Sequence, residues 1–134
     1  MAYNLFLDDQ FKPMQIADLT LSEKDRERYR KYKWIIVKSY NEFVEIVNKK
    51  GVPSMVSFDH DLAEEHWDFT HLEENLLKVG DAAILDYDVF EVKTGYHAAE
   101  WFLEYCANRG KYPEIILVHS RNPIGKKNIE GLFF

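Results

Sequence analysis

Three short apolar runs in this chain each end in polar chemistry, and that repeat limits the folds open to it. Ser57-Phe58-Asp59-His60-Asp61-Leu62 closes a run that includes Met55 and Val56. Leu5-Phe6-Leu7-Asp8-Asp9 ends in two carboxylates, and Ile115-Ile116-Leu117-Val118-His119-Ser120 ends in a histidine and a hydroxyl. A run of roughly four to eight apolar residues without strict alternation is what a strand buried on both faces requires. One such cluster alone reads equally well as a turn cap beside a solvent-facing histidine. Three of them do not read as three separate turn caps. In open α/β sheets ligands bind beyond the carboxyl ends of the strands, which puts these polar groups at the edge of one site.

The rest of the chain supplies the connections. Tyr3 to Asp9 is expected as strand one, and Gln10 to Pro13 as a loop that Pro13 breaks. Leu19 to Lys33 is dense in mixed charge and can be capped by Ser22, so it reads as a solvated helix face with no chemistry assigned. Trp34 to Val37 is expected as strand two. Ser39-Tyr40-Asn41-Glu42 has capping-box spacing, and Tyr40, Phe43, Val44 and Val47 follow at helical intervals, with Gly51 suited to a left-handed cap. Ala63 to Val92 is acidic: Trp67, Phe69, Leu72, Leu76 and Leu77 suggest a partly packed helix, and Ile84 to Val92 a short strand or lid. His66 and His71 within it are read as surface residues.

Thr94-Gly95 opens another helix, with Ala98, Trp101, Phe102 and Tyr105 on one face and Gly110 beyond its end. Strand four follows Pro113, and Asn122-Pro123 has the form of an N-cap with proline at the first helical position. Ile129, Leu132 and Phe133 form the apolar side of the final helix. The alternation of strands and helices implies parallel strands joined by right-handed crossovers. A flavodoxin-like strand order of 2-1-3-4 places strands one and three side by side, which gathers Asp8, Asp9 and Asp59 and brings His119 and Ser120 from the neighbouring strand.

Composition narrows the function classes. A chain of 134 residues, 46% of them hydrophobic, fits one folded domain. The net charge of -6 argues against broad, nonspecific binding to a nucleic-acid backbone. The single cysteine, Cys106, cannot form an intramolecular disulfide; it lies in an apolar helical pattern and reads as core in a reducing compartment. No run approaches membrane-spanning length and no basic, then apolar, leader opens the chain, so the expected location is cytoplasmic and away from membranes.

Clustered carboxylates repel one another unless a cation binds or a proton is taken up. Mg²⁺ favours oxygen ligands, often one or two carboxylates with water and substrate phosphate, and Asp8, Asp9 and Asp59 suit that description. No cysteine cluster or histidine triad supports structural zinc. His60 and His119 can exchange protons near neutral pH. Ser120 and the amides at the Asn122-Pro123 helix start can hold an anionic oxygen, with Lys126 and Lys127 adding positive charge. Together these parts describe a phosphate site.

Phe6-Leu7-Asp8-Asp9, Ser57-Phe58-Asp59-His60-Asp61-Leu62, Thr94-Gly95-Tyr96 and His119-Ser120-Arg121-Asn122-Pro123-Ile124-Gly125 together resemble the cyclic-phosphate processing receiver family. The resemblance runs from the first strand to the final helix, in the family's order. It implies a receiver-like three-layer α/β sandwich over residues 1–134 with a mainly parallel sheet. It also implies a role at cyclic phosphate ends, in RNA repair or nucleotide metabolism. The expected metal set is Asp8, Asp9, Asp59 and Asp61, with Mg²⁺ or Mn²⁺ as the ion. The expected catalytic residues are His60, His119 and Asp59, and the expected phosphate contacts are Ser120, Asn122, Lys126 and Thr94. The chain departs from the family in three ways. Phe11 stands where the family has an arginine, with Lys12 beside it and Pro13 in place. Segments at about 18–33 and 63–92 are longer, and a receiver's fifth strand with its lysine is not evident.

The expected activity is a metal-dependent phosphoesterase acting on cyclic phosphate ends or a small nucleotide phosphate ester, a hydrolase of phosphoester bonds. Its partner would be a small nucleotide or an RNA phosphate end. The alternatives are a signalling receiver phosphorylated on Asp59, since carboxylates can form acyl phosphates, and a non-catalytic nucleotide-binding or protein-binding module.

Overall fold

The computed structural model describes residues 2–19, 22–63, 77–79, 82–84 and 92–134. Four strands form one all-parallel sheet: β1 (Asn4–Leu7), β2 (Ile35–Val37), β3 (Met55–Phe58) and β6 (Ile115–Val118), in the order β2-β1-β3-β6. This is the 2-1-3-4 arrangement expected from the sequence. A separate antiparallel pair, β4 (Leu77–Val79) and β5 (Ala82–Ile84), opens at Leu77, which the sequence placed in a helix. The rest of that expected helix, the lid, His66 and His71 lie outside the described residues.

The central strands read as unbroken apolar runs because helices cover both faces. Side chains alternate across each strand, and the two halves of the core follow that parity. Leu5, Leu7, Val56 and Phe58 pack on one face against Phe43 and Val47 of α3 (Tyr40–Lys50), Ala98, Ala99 and Phe102 of α4 (Gly95–Arg109), and Ile129 of α5 (Pro123–Phe133). Phe6 and Leu117 turn to the other face, against Ile16 and Ala17 of α1 (Pro13–Leu19) and Tyr29 of α2 (Glu23–Lys31). The result is a three-layer, receiver-like α/β sandwich.

Several boundaries differ from expectation. Pro13 does not end an element; it opens α1, because a helix's first turn has no use for the N–H that proline lacks. Trp34 falls just before β2 and packs edge-on to Phe6. Ser22 and Ser39 cap their helices as expected, accepting from Asp25 and Glu42 N–H groups. Glu42 returns its side chain to the Lys38 N–H instead of closing the capping box on Ser39. Gly51 has a positive φ of 86° but an extended ψ of -164°, so it is not a left-handed helical cap; Gly110, at φ 63° and ψ 28°, is one.

Sheet register positions the site. Leu7 aligns with both Val37 and Phe58, and Phe58 aligns with Val118, so all four strands stop at one level. One further rung extends past each end: the N–H groups of Asp8, Asp59 and His119 donate to Val37, Leu7 and Phe58 carbonyls, each at 3.0 Å. The first residues beyond the strands are therefore tethered in one row.

Candidate functional site

Parity decides which of the strand-end residues share a cleft. Asp8, Asp59 and His119 each follow a residue that faces α3–α5, so they turn toward the α1–α2 side together. One ligand atom from each lies within 4.8 Å of the other two. They line an open cleft of about 720 Å³ with Asp9, Asp61, Phe11 and Arg121.

Asp8 is tightly held. Its Oδ1 accepts the N–H groups of Gln10 and Phe11, both at 2.8 Å, and its Oδ2 accepts from Nε2 of His119 at 3.0 Å. The other ring nitrogen, Nδ1, lies 2.6 Å from Ser57 Oγ, which in turn lies 2.7 Å from Tyr29 Oη. Phe6 stacks on the imidazole at 4.3 Å with planes 6° apart, so the ring cannot tilt. Burial lowers the pKa of His119, with the bond to Asp8 pulling the other way. Burial also pushes the Tyr29 hydroxyl up.

The neighbouring carboxylates are electrostatically crowded. Asp59 is raised well above the ordinary carboxylate pKa, first by burial and then by the charges of Asp8, Asp61 and Asp9. Asp9 is raised as well, by burial and by Asp8. A cation placed among them would offset the mutual repulsion of these carboxylates. The oxygen-rich set of Asp8, Asp59 and Asp9 fits a hard divalent cation.

His60 is turned the other way. One residue beyond Asp59, it points to the α4–α5 face, is fully buried, and does not line the cleft. Its Nδ1 donates to Asp61 Oδ1 at 2.7 Å, and Asn122 Nδ2 donates to the same oxygen at 3.1 Å. A Cβ on Gly125 would lie 2.2 Å from the His60 ring, and one on Gly95 would lie 1.6 Å from the Asp59 carbonyl oxygen. These two glycines let the starts of α4 and α5 close onto the end of β3.

The expected phosphate contacts are mostly committed elsewhere. Thr94 is fully buried and caps α4, accepting from the N–H groups of Tyr96 and His97. Asn122 caps α5 by accepting the Gly125 N–H at 3.1 Å, and Ser120 Oγ accepts the Asn122 N–H at 3.2 Å. Ser120 and Lys126 line an adjoining groove that shares Ile16, His119 and Arg121 with the cleft.

Three residues of the site went unassigned in the sequence: Tyr29, Ser57 and Arg121. Ser57 carried a signal, since a hydroxyl inside an apolar central strand must find a partner when buried. Tyr29 was the lone aromatic in a charged helix, which marks the one side chain able to enter the core.

Four parallel strands in this order, with an acidic pair after β1 and a carboxylate after β3, define a receiver-like domain. The sequence profile of the cyclic-phosphate processing receiver domain matches residues 3–133, and the chain belongs to that family. Among curated proteins and among solved structures, none matches this chain. No helix among the described residues is long and apolar enough to cross a membrane.

Proposed function

We propose that this chain is a metal-dependent phosphoesterase acting on cyclic phosphate ends or a small nucleotide phosphate ester, in cytoplasmic RNA repair or nucleotide processing. The observation that carries the reading is the convergence of Asp8, Asp59 and His119 within 4.8 Å at one open cleft. Family membership supports the substrate class.

Asp8 and Asp59, with Asp9 beside them, are the residues that would hold Mg²⁺ or Mn²⁺. Such an ion supplies charge stabilisation at a phosphoryl oxygen and a more acidic bound water. Arg121, exposed at the cleft wall, binds the outer phosphate oxygens as a charged donor. In hydrolysis a water oxygen bonds to phosphorus, one ester P–O bond breaks, and the departing oxygen leaves with a proton. His119 Nε2–H borders this space; held on Asp8 Oδ2 at 3.0 Å, it can be shared with a substrate oxygen on which charge develops. Asp61, anchored by Asn122 and His60, fixes the far wall of the cleft, which makes His60 a supporting residue behind the reaction.

The test is a panel of 2′,3′-cyclic nucleotides and cyclic-ended RNA, with and without Mg²⁺ or Mn²⁺. Turnover that requires the cation is expected on at least one substrate. Binding without turnover across the panel would replace the reading with a nucleotide-binding module. A second reading, a receiver phosphorylated on Asp59, has one observation in its favour: Asp59 ends the third strand beside the acidic pair. A stable adduct on Asp59 after incubation with a small phosphodonor, seen by intact mass, would favour it.

A further inference from the structure

We propose that Tyr29 and Ser57 are positioning residues for His119: a one-way hydrogen-bond chain, Tyr29 Oη–H to Ser57 Oγ–H to His119 Nδ1, that leaves Nε2–H facing the cleft. This deepens the reading of His119 as the cleft's donor, and it rests on that reading. The chain is built from a buried contact of 2.7 Å and a partly buried one of 2.6 Å, and it ends at Asp8, 3.0 Å from Nε2.

Counting protons gives the direction. A neutral imidazole has one N–H, and each hydroxyl has one O–H. If Tyr29 donates to Ser57, then Ser57 donates to Nδ1 and Nε2–H donates to the Asp8 carboxylate. Every proton then has an acceptor. In the reverse arrangement Nδ1–H donates to Ser57 and Ser57 donates to Tyr29. The Tyr29 proton is then turned away from Ser57, and the bare Nε2 lone pair faces the Asp8 carboxylate, a repulsive contact. Buried polar groups rarely go unsatisfied, so the first arrangement prevails. Phe6, stacked on the ring, opposes the flip about Cβ–Cγ that would put ring carbons where the two nitrogens now lie.

The consequence is a division of labour in the Asp8–Asp59–His119 cluster. With its proton on Nε2, His119 offers a donor to the cleft and no lone pair to a cation, so the ion site is made of carboxylates alone. Tyr29, two hydrogen bonds back from His119, selects this by fixing which way the Ser57 hydroxyl points.

The experiment reads the ring nitrogens of His119 by ¹⁵N NMR in the protein without metal or substrate, so its outcome does not depend on turnover. In the parent protein Nε2 should show the protonated shift, and Nδ1 the unprotonated shift moved upfield by an accepted hydrogen bond. Ser57→Ala should move the Nδ1 signal downfield, toward that of an unbonded nitrogen. Tyr29→Phe, which keeps the ring and its packing, should move it part of the way. Turnover in Tyr29→Phe should then fall in kcat with KM retained. A protonated Nδ1 in the parent protein, or an Nδ1 signal unmoved in both variants, overturns the proposal. A moved signal with unchanged kcat overturns the link to catalysis while leaving the chain itself in place.

Discussion

Asp59 and His119 sit in one cluster, yet removing them should differ in the metal response. His119→Ala removes one preorganised donor and should lower turnover by about 10²–10³-fold. Any stabilisation by metal should survive in that variant if, as proposed, the ring is not a ligand. Asp59→Asn should abolish both turnover and the metal response. Without metal, however, Asp59→Asn should be at least as stable as the parent, because it removes a buried carboxylate crowded by Asp8, Asp61 and Asp9. Thermal melts with and without Mg²⁺ check both variants, and a metal response lost in His119→Ala would make the histidine a ligand. Cys106 gives a pH prediction. Fully buried in the core, its thiol is pushed up to about 11 by burial. The folded pKa lies above the unfolded one, so this group stabilises below about pH 8.5, the unfolded value, and the contribution is lost as pH rises toward 11. Thiol reagents should therefore label native protein far more slowly than protein in urea. At this scale the acidic residues were legible and the orientations were not. Asp59-His60-Asp61 looked like one cluster, but strand parity sends His60 to the opposite face from its neighbours.

Among the elements, the strand ends carry the geometry and the helix starts press against them. Gly95→Ala would place a methyl 1.6 Å from the Asp59 carbonyl oxygen, a backbone atom with no rotamer to yield. The variant should lose about 1–3 kcal/mol or more, the usual range for overpacking, and should blunt the metal response by displacing Asp59. Urea melts against the parent measure the first effect. Ser39→Ala, far from the cleft, removes only the α3 cap and should cost about 1 kcal/mol with the metal response intact. The four strands of the parallel sheet and the α2, α3, α4 and α5 helices were legible because periodicity and caps are local signals, whereas β4 was read as helix. Helix α1 was missed because proline punctuates a loop and opens a helix with the same residue. The buried role of Tyr29 was missed because eight charged or polar neighbours in α2 set the pattern against which it was read.

For the whole molecule, a cation held by Asp8 and Asp59 would tie the ends of β1 and β3 together, and that tie is testable. If Mg²⁺ or Mn²⁺ binds the native cleft only, metal at about 100 times its Kd adds about 2.7 kcal/mol of stability. The melting temperature should rise accordingly, and one unchanged at millimolar metal counts heavily against the ion site. The strand order was legible because connection lengths and parallel pairing leave few arrangements, whereas the pairing of His119 with Asp8 was not. That bond spans 111 residues of chain. It also sets a schedule for synthesis. At ribosomal rates of about 5–20 residues per second, the interval between making Asp8 and making His119 is on the order of ten seconds. Through that interval the first acidic pair waits without the histidine that will hold it.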